Sequence, residues 1–264
     1  NAQWSHNRYR IYYPKTMGDA VWSMYDYNRG CCDNICYSGV ADIFRLPKFS
    51  LSFFRTQIAE GSMLPSGKMP YEVFIPAYRD EILSDTVMVY GNVDEVELVL
   101  NGKTIRRQTA DKGPDSDYIS VPNGGNGKNL HFPPFTFYGV PKERGVLKAV
   151  GYHQGKKVAE YTVKTPGVPE RLDITYFESG KPATKNDLLI VYVRMLDKQG
   201  VLCPVNGIPV ELSVQGGEIV GPTSYPLEAG VASFLVRTGE ISKININATG
   251  KGFSTRKSLK VGKE

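Results

Sequence analysis

At 264 residues the chain is long enough for about two domains, each able to close a core of its own. Its 32 basic and 27 acidic side chains give a net charge of +5 and are interspersed, with no basic stripe of the kind that tracks nucleic acid. No run approaches the roughly 18 apolar residues a membrane helix needs, and four cysteines are too few for a disulfide framework at this length.

Gln3 to Tyr13 carries Trp4, Tyr9, Tyr12 and Tyr13 among polar residues and stops at Pro14, which predicts the tail of an amphipathic helix. Ala20 to Tyr25 is a short apolar run between Gly18-Asp19 and polar residues, and predicts a buried strand. Asn28 to Ser38 has loop composition. Leu46 to Ala59 predicts a helix with Pro47 near its first turn and Leu51, Phe54 and Ile58 at helical spacing. This unit of helix, strand, loop and helix cannot close a sheet alone. Because Asn1-Ala2 opens without Met, the chain is expected to be an internal fragment.

Cys31, Cys32 and Cys36 crowd one loop, far in sequence from Cys203. No His or further Cys follows at ligand spacing, so neither a metal nor a cofactor is assigned. A bridge from Cys36 to Cys31 or Cys32 is expected if the protein is exported, and free thiols otherwise.

Glu60 to Tyr71 is a linker by its Gly and Pro content. Short strands follow at Thr86–Tyr90, Val96–Leu100 and Thr104–Gln108, the last two joined by the tight-turn pair Asn101-Gly102. A second hairpin, Val146–His153 and Lys157–Lys164, turns at Gln154-Gly155, and Thr165-Pro166-Gly167 breaks the pattern. Strands at Asp187–Leu196, Val210–Gln215, Val231–Arg237 and Lys243–Ala248 then suit an immunoglobulin-like sandwich without its Cys…Trp…Cys core. The predicted class is mainly β: two immunoglobulin-like sandwiches, residues 61–167 and 168–264, after a small α/β segment, residues 1–60.

Three stretches carry a resemblance. Trp22 to Asn28, with Gly39-Val40-Ala41-Asp42, Arg45, Pro47 and Lys48, looks like the last strand and final helix entry of a (β/α)8 barrel in glycoside hydrolase family 2. Val87 to Lys103, His131 to Phe135 and Leu147 to Lys156 are similar to the first sandwich after that barrel. Asp197 to Gly200 and Gly230 to Ala232 resemble the immunoglobulin-like domain that ends many such enzymes, often Bacteroides-like ones. The resemblance implies a parent, periplasmic or secreted, that hydrolyses β-glycosides, β-galactosides first among them, by a retaining two-glutamate mechanism. The residues before Glu60 include no glutamate, so no catalytic residue is expected here and the chain alone is expected to be inactive.

Composition alone makes Trp22 a buried core residue. The resemblance instead puts it at the carboxyl end of a barrel strand, where an indole stacks on a pyranose. Asp26 and Asn28 follow as candidate partners for sugar hydroxyls, with loop capping as the competing role. Asp42 and Arg45 read as an ion pair or helix-start cap, and Lys48 as ordinary surface or packing. His6, His131 and His153 lie in separate elements. Phe132 to Tyr138 reads as an edge strand with inward rings rather than a sugar platform, and the Asn123 to Gly127 loop has no following helix to cradle a phosphate. The expected partner is a carbohydrate reached through the rest of the barrel, without nucleic acid or membrane. Two other roles remain for the sandwiches, carbohydrate binding and structural support. Residues 1–60 are expected to pack on the first sandwich or to self-associate.

Overall fold

The computed structural model describes residues 2–10, 15, 20–30, 35–77, 84–111, 129–177 and 181–262. The chain divides into two compact units, Asn1–Lys164 and Thr165–Glu264. The architecture is mainly β, and the strands of its sheets pair antiparallel.

The first unit opens with helix α1 (Ala2–Arg10) and a short hairpin of β1 (Tyr27–Asn28) and β2 (Ile35–Cys36). Ile11 to Pro14, where the sequence predicts the end of the first helix, lie outside the described residues. Helix α2 runs Phe49–Thr56, shorter than the predicted Leu46–Ala59. Pro47 sits outside it, bridged to Ala41, and Lys48 is extended (φ −86°, ψ 164°) as the N-cap. The helix therefore starts only where the chain is released from that bridge. A small hairpin, β3 (Met63–Leu64) and β4 (Gly67–Lys68), occupies the expected linker.

The first sandwich has two sheets. One joins β5 (Val73–Phe74), β6 (Val87–Gly91) and β9 (Phe135–Phe137) in the order β5-β6-β9; the other joins β7 (Glu95–Leu100), β8 (Lys103–Thr109), β10 (Val146–His153) and β11 (Lys156–Lys164) in the order β11-β10-β7-β8. Asn101 and Gly102 both have positive φ (51° and 80°), as a two-residue hairpin turn between right-twisted strands requires. Inward residues such as Val89, Val96, Leu98, Phe135 and Leu147 form the core. Phe135 and Phe137 are both buried on edge strand β9, so the rings face inward as the sequence suggests.

Helix α2 joins this sandwich through a smaller cluster of Phe53, Phe74, Tyr90 and Leu130. Buried Asn92 staples the junction: its amide donates to the carbonyls of Ile58 and Pro70, and its Oδ1 accepts the Glu72 N–H at 2.6 Å. The end of the α/β segment thus packs on the first sandwich, one of the two arrangements expected for it.

The second unit pairs two four-stranded sheets. The first is β12 (Pro169–Tyr176), β13 (Leu188–Asp197), β17 (Val231–Thr238) and β15 (Gly217–Val220); the other is β16 (Ser224–Pro226), β14 (Pro209–Gln215), β18 (Lys243–Gly250) and β19 (Phe253–Lys260). Their inner faces close over Val191, Val193, Met195, Leu212, Phe234 and Ile246, among others. Strands β12, β15, β16 and β19 add to those read from sequence. The pairing is that of a β-sandwich.

Candidate functional site

The site-bearing segment is residues 20–48. Ala20 to Tyr25 is not the buried strand that its apolar run predicts: Val21 and Met24 are exposed, and Trp22 is 74% exposed. Its backbone bends at Trp22 and Met24 and is laddered on one side to residues 38–41. Ser23 N–H donates to the Ser38 carbonyl, Val40 N–H to Ser23, Ala41 N–H to Met24 and Asp26 N–H to Ala41. This ladder supplies pairing without supplying an apolar layer, so the side chains of the run stay in solvent. The Trp22–Ser23 peptide is cis.

The three sequence-predicted site residues have different surroundings. The Trp22 indole donates through Nε1 to the Tyr27 hydroxyl at 2.8 Å, with the two rings edge-to-face at 6.0 Å. Asn28 is exposed, and its Oδ1 accepts the Gly30 N–H at 2.8 Å, the loop-capping turn weighed from sequence. Asp26 has the loop-fastening surroundings that compete with sugar contact in the sequence reading. It is buried, and its Oδ1 accepts both the Gly39 N–H (2.8 Å) and the Lys48 ammonium (2.6 Å). A carboxylate so occupied fastens the loop.

Of the two roles read for Lys48, surface and packing, the structure shows packing. Its Nζ also donates to the Tyr37 carbonyl at 3.2 Å, so one side chain joins three short segments, 23–26, 37–41 and 46–48. Gly39 is required at this crossing, because a Cβ there would collide with the backbone of Tyr25, Asp26 and Ala41. Nothing in the sequence periodicity signals a contact 22 residues apart; the one hint is a lone Asp beside an apolar run and a Lys before a helix.

Asp42 caps the turn before α2 by accepting the Leu46 N–H at 2.8 Å, and partial burial raises its carboxyl above the ordinary range. Arg45 has positive φ (67°) and lies over the Tyr25 ring, 5.6 Å from its centre. Cys36 is a free thiol whose pKa is lowered by hydrogen bonds from Ser38 and Tyr27. Cys31 and Cys32 lie outside the described residues, as does the Asn123 to Gly127 loop.

The histidines do not converge. His6 packs edge-on against Phe53 and Phe54, His131 lies beside Phe132, and His153 stacks on Tyr71 and contacts Asp94. Among the described residues no group of three His, Cys, Asp or Glu is placed to hold a metal, and no helix is long and apolar enough to cross a membrane. An open cleft of about 380 Å³ lies between α2 and strands β5 and β11, where the Arg55–Glu72 ion pair faces Tyr161.

The chain has recognisable relatives among known proteins. Residues 84–159 match the model of a domain of unknown function, DUF4982. The chain is 32% identical over 241 residues to a β-galactosidase of Thermoanaerobacter pseudethanolicus, covering 85% of this chain and 30% of that protein. It is 30% identical over 129 residues to a β-galactosidase of Rhizobium radiobacter, covering 48% of this chain and 92% of that sequence. A crystal structure of a glycosyl hydrolase family 2 member from Bacteroides cellulosilyticus superposes with a TM-score of 0.70 at 19% identity, over 98% of this chain and 36% of that one. The chain belongs to glycoside hydrolase family 2. Within that family it spans about a third of the length of the longer relatives it matches.

Proposed function

We propose that the chain is the carboxyl-terminal, non-catalytic portion of a longer enzyme that hydrolyses β-glycosides, with β-galactosides as the leading candidates. The observation that carries this reading is Trp22, an indole presented to solvent on a segment whose backbone is firmly held. The names of the relatives support the substrate class. A retaining reaction needs two carboxyl groups about 5 Å apart; with no glutamate before Glu60, the two catalytic glutamates belong to preceding barrel strands and the chain alone is inactive.

In this reading Trp22 stacks on the apolar face of a pyranose and Asn28 meets its hydroxyls. Asp26 contributes indirectly, by holding the loop that carries both. The division into a barrel end (residues 1–60) and two sandwiches (61–167 and 168–264) is part of the same proposal, as is export of the parent. The exposed side chains of Val21, Trp22, Met24 and Tyr37 face the rest of the barrel, and in its absence they drive self-association.

The sandwiches serve as structural support rather than as glycan-binding modules. Phe135 and Phe137 of β9 are buried, which leaves Tyr138 as the exposed ring beside them. The test is hydrolysis of a panel of nitrophenyl β-glycosides by this chain and by the longer polypeptide that contains it. Activity in the longer protein alone is the expected result. Activity in the chain would reveal a missed carboxylate pair, and activity in neither would overturn the enzymatic reading.

A further inference from the structure

An exposed tryptophan is a poor platform unless something fixes its plane, because an indole free to change rotamer loses order when a ligand binds. Trp22 carries a single donor, Nε1–H, and the structure gives it one partner, the Tyr27 hydroxyl at 2.8 Å. The two rings also form a T-shaped pair at 6.0 Å and 81°. These contacts leave Trp22 74% exposed. Tyr27 is itself anchored: its backbone pairs with Cys36 across the β1–β2 hairpin, and its side chain is half-buried. A phenolic hydroxyl has one donor and two acceptor sites. The Trp22 indole occupies one of the acceptor sites.

We propose that Tyr27 is a positioning residue for substrate binding, which holds the Trp22 indole in one orientation through its hydroxyl. The inference rests on the reading of Trp22 as the sugar platform. It adds a residue that would not touch the sugar, with an effect on affinity rather than on chemistry.

The test uses the longer polypeptide containing this chain and the aryl β-glycoside it hydrolyses best. Tyr27→Phe keeps the ring and deletes the hydroxyl; it is expected to raise KM roughly three- to tenfold while kcat stays within about twofold. In a Trp22→Phe background, which has no Nε1–H to fix, the same substitution is expected to leave KM unchanged. In the 264-residue chain, Tyr27→Phe should also move the Trp22 indole N–H resonance, identified with a Trp4→Phe variant. An unchanged KM in Tyr27→Phe, with KM raised by Trp22→Phe, overturns the positioning role alone. An equal rise in KM in both backgrounds overturns it too, since Tyr27 would then act by another route. Should Trp22→Phe itself leave KM unchanged, the sugar-platform reading fails first.

Discussion

Replacing Lys48 with Met tests whether one ion pair fastens the candidate site. The Asp26 side chain is 2% exposed and the Lys48 side chain 31%, at 2.6 Å. Removing one partner from a fully buried pair costs about 3–5 kcal/mol, because the other charge is stranded. Here the lysine is partly solvated and the Gly39 N–H still serves the carboxylate, so the expected loss is smaller, about 1.5–3 kcal/mol. For a unit of this size that is a fall of roughly 3–12 °C in Tm of the first unit. Asp26→Asn should cost less, about 1 kcal/mol, since the amide oxygen can still accept from Gly39 and the lysine can turn to water. The double variant should fall short of the sum of the two losses. The assay is thermal unfolding combined with hydrogen exchange at the Gly39 amide, which reports opening of the loop itself. If Lys48→Met changed stability by less than about 0.5 kcal/mol and left Gly39 exchange unaltered, the pair would be an incidental surface contact.

Gly39→Ala should destabilise the first unit by about 1–3 kcal/mol, because its Cβ would meet backbone rather than a movable side chain; calorimetry checks it. In the second unit, Asp197 accepts the backbone N–H groups of Gly167 (2.7 Å), Val201 (2.8 Å) and Gln199 (2.9 Å), and these hold its carboxyl below the usual range. A folded pKa below the unfolded one gives stability that is present above the unfolded value and lost as pH falls through the folded one. Asp197→Asn is thus expected to lower the second unit's Tm at about pH 7, with the difference narrowing below about pH 4. The 264-residue chain should self-associate with rising concentration, and Met24→Glu should weaken this; sedimentation showing a monomer throughout would count against the exposed-face proposal.

The sandwich strands are legible in the sequence where two signals coincide. Val146–His153 has alternating side chains and a Gln154-Gly155 turn with both residues at positive φ, and β10 has the expected bounds. Strand β19 escapes such a reading because its half-buried face, Phe253, Thr255, Lys257 and Leu259, mixes polar with apolar residues and so breaks the hydrophobic alternation. Strand β12, by contrast, alternates Arg171, Asp173 and Thr175 with buried Leu172 and Ile174, a period-2 signal that the sequence does carry. At the candidate site, Trp22 and Asn28 stand out by residue type, while the bond between Asp26 and Lys48 depends on how distant segments cross. Local propensity carries no record of that crossing.

The division of labour among forces within the first unit bears on what residues 20–48 are for. Both sandwiches are closed by continuous apolar cores, and α2 is attached through Phe53, Phe74, Tyr90 and Leu130. Among its described residues, the segment from Ala20 to Lys48 has Ala41 as its buried apolar residue; it is held by backbone hydrogen bonds, the Lys48–Asp26 pair and the Trp22–Tyr27 contact. The side chains of Val21, Trp22 and Met24 are outside. A stretch that leaves its hydrophobic residues in water while fixing its backbone with polar contacts is ordered in order to present those side chains. Packing alone would have turned Trp22 and Met24 inward and left Asp26 in solvent. The reverse arrangement is what the proposed role, facing another part of a barrel and a sugar, requires.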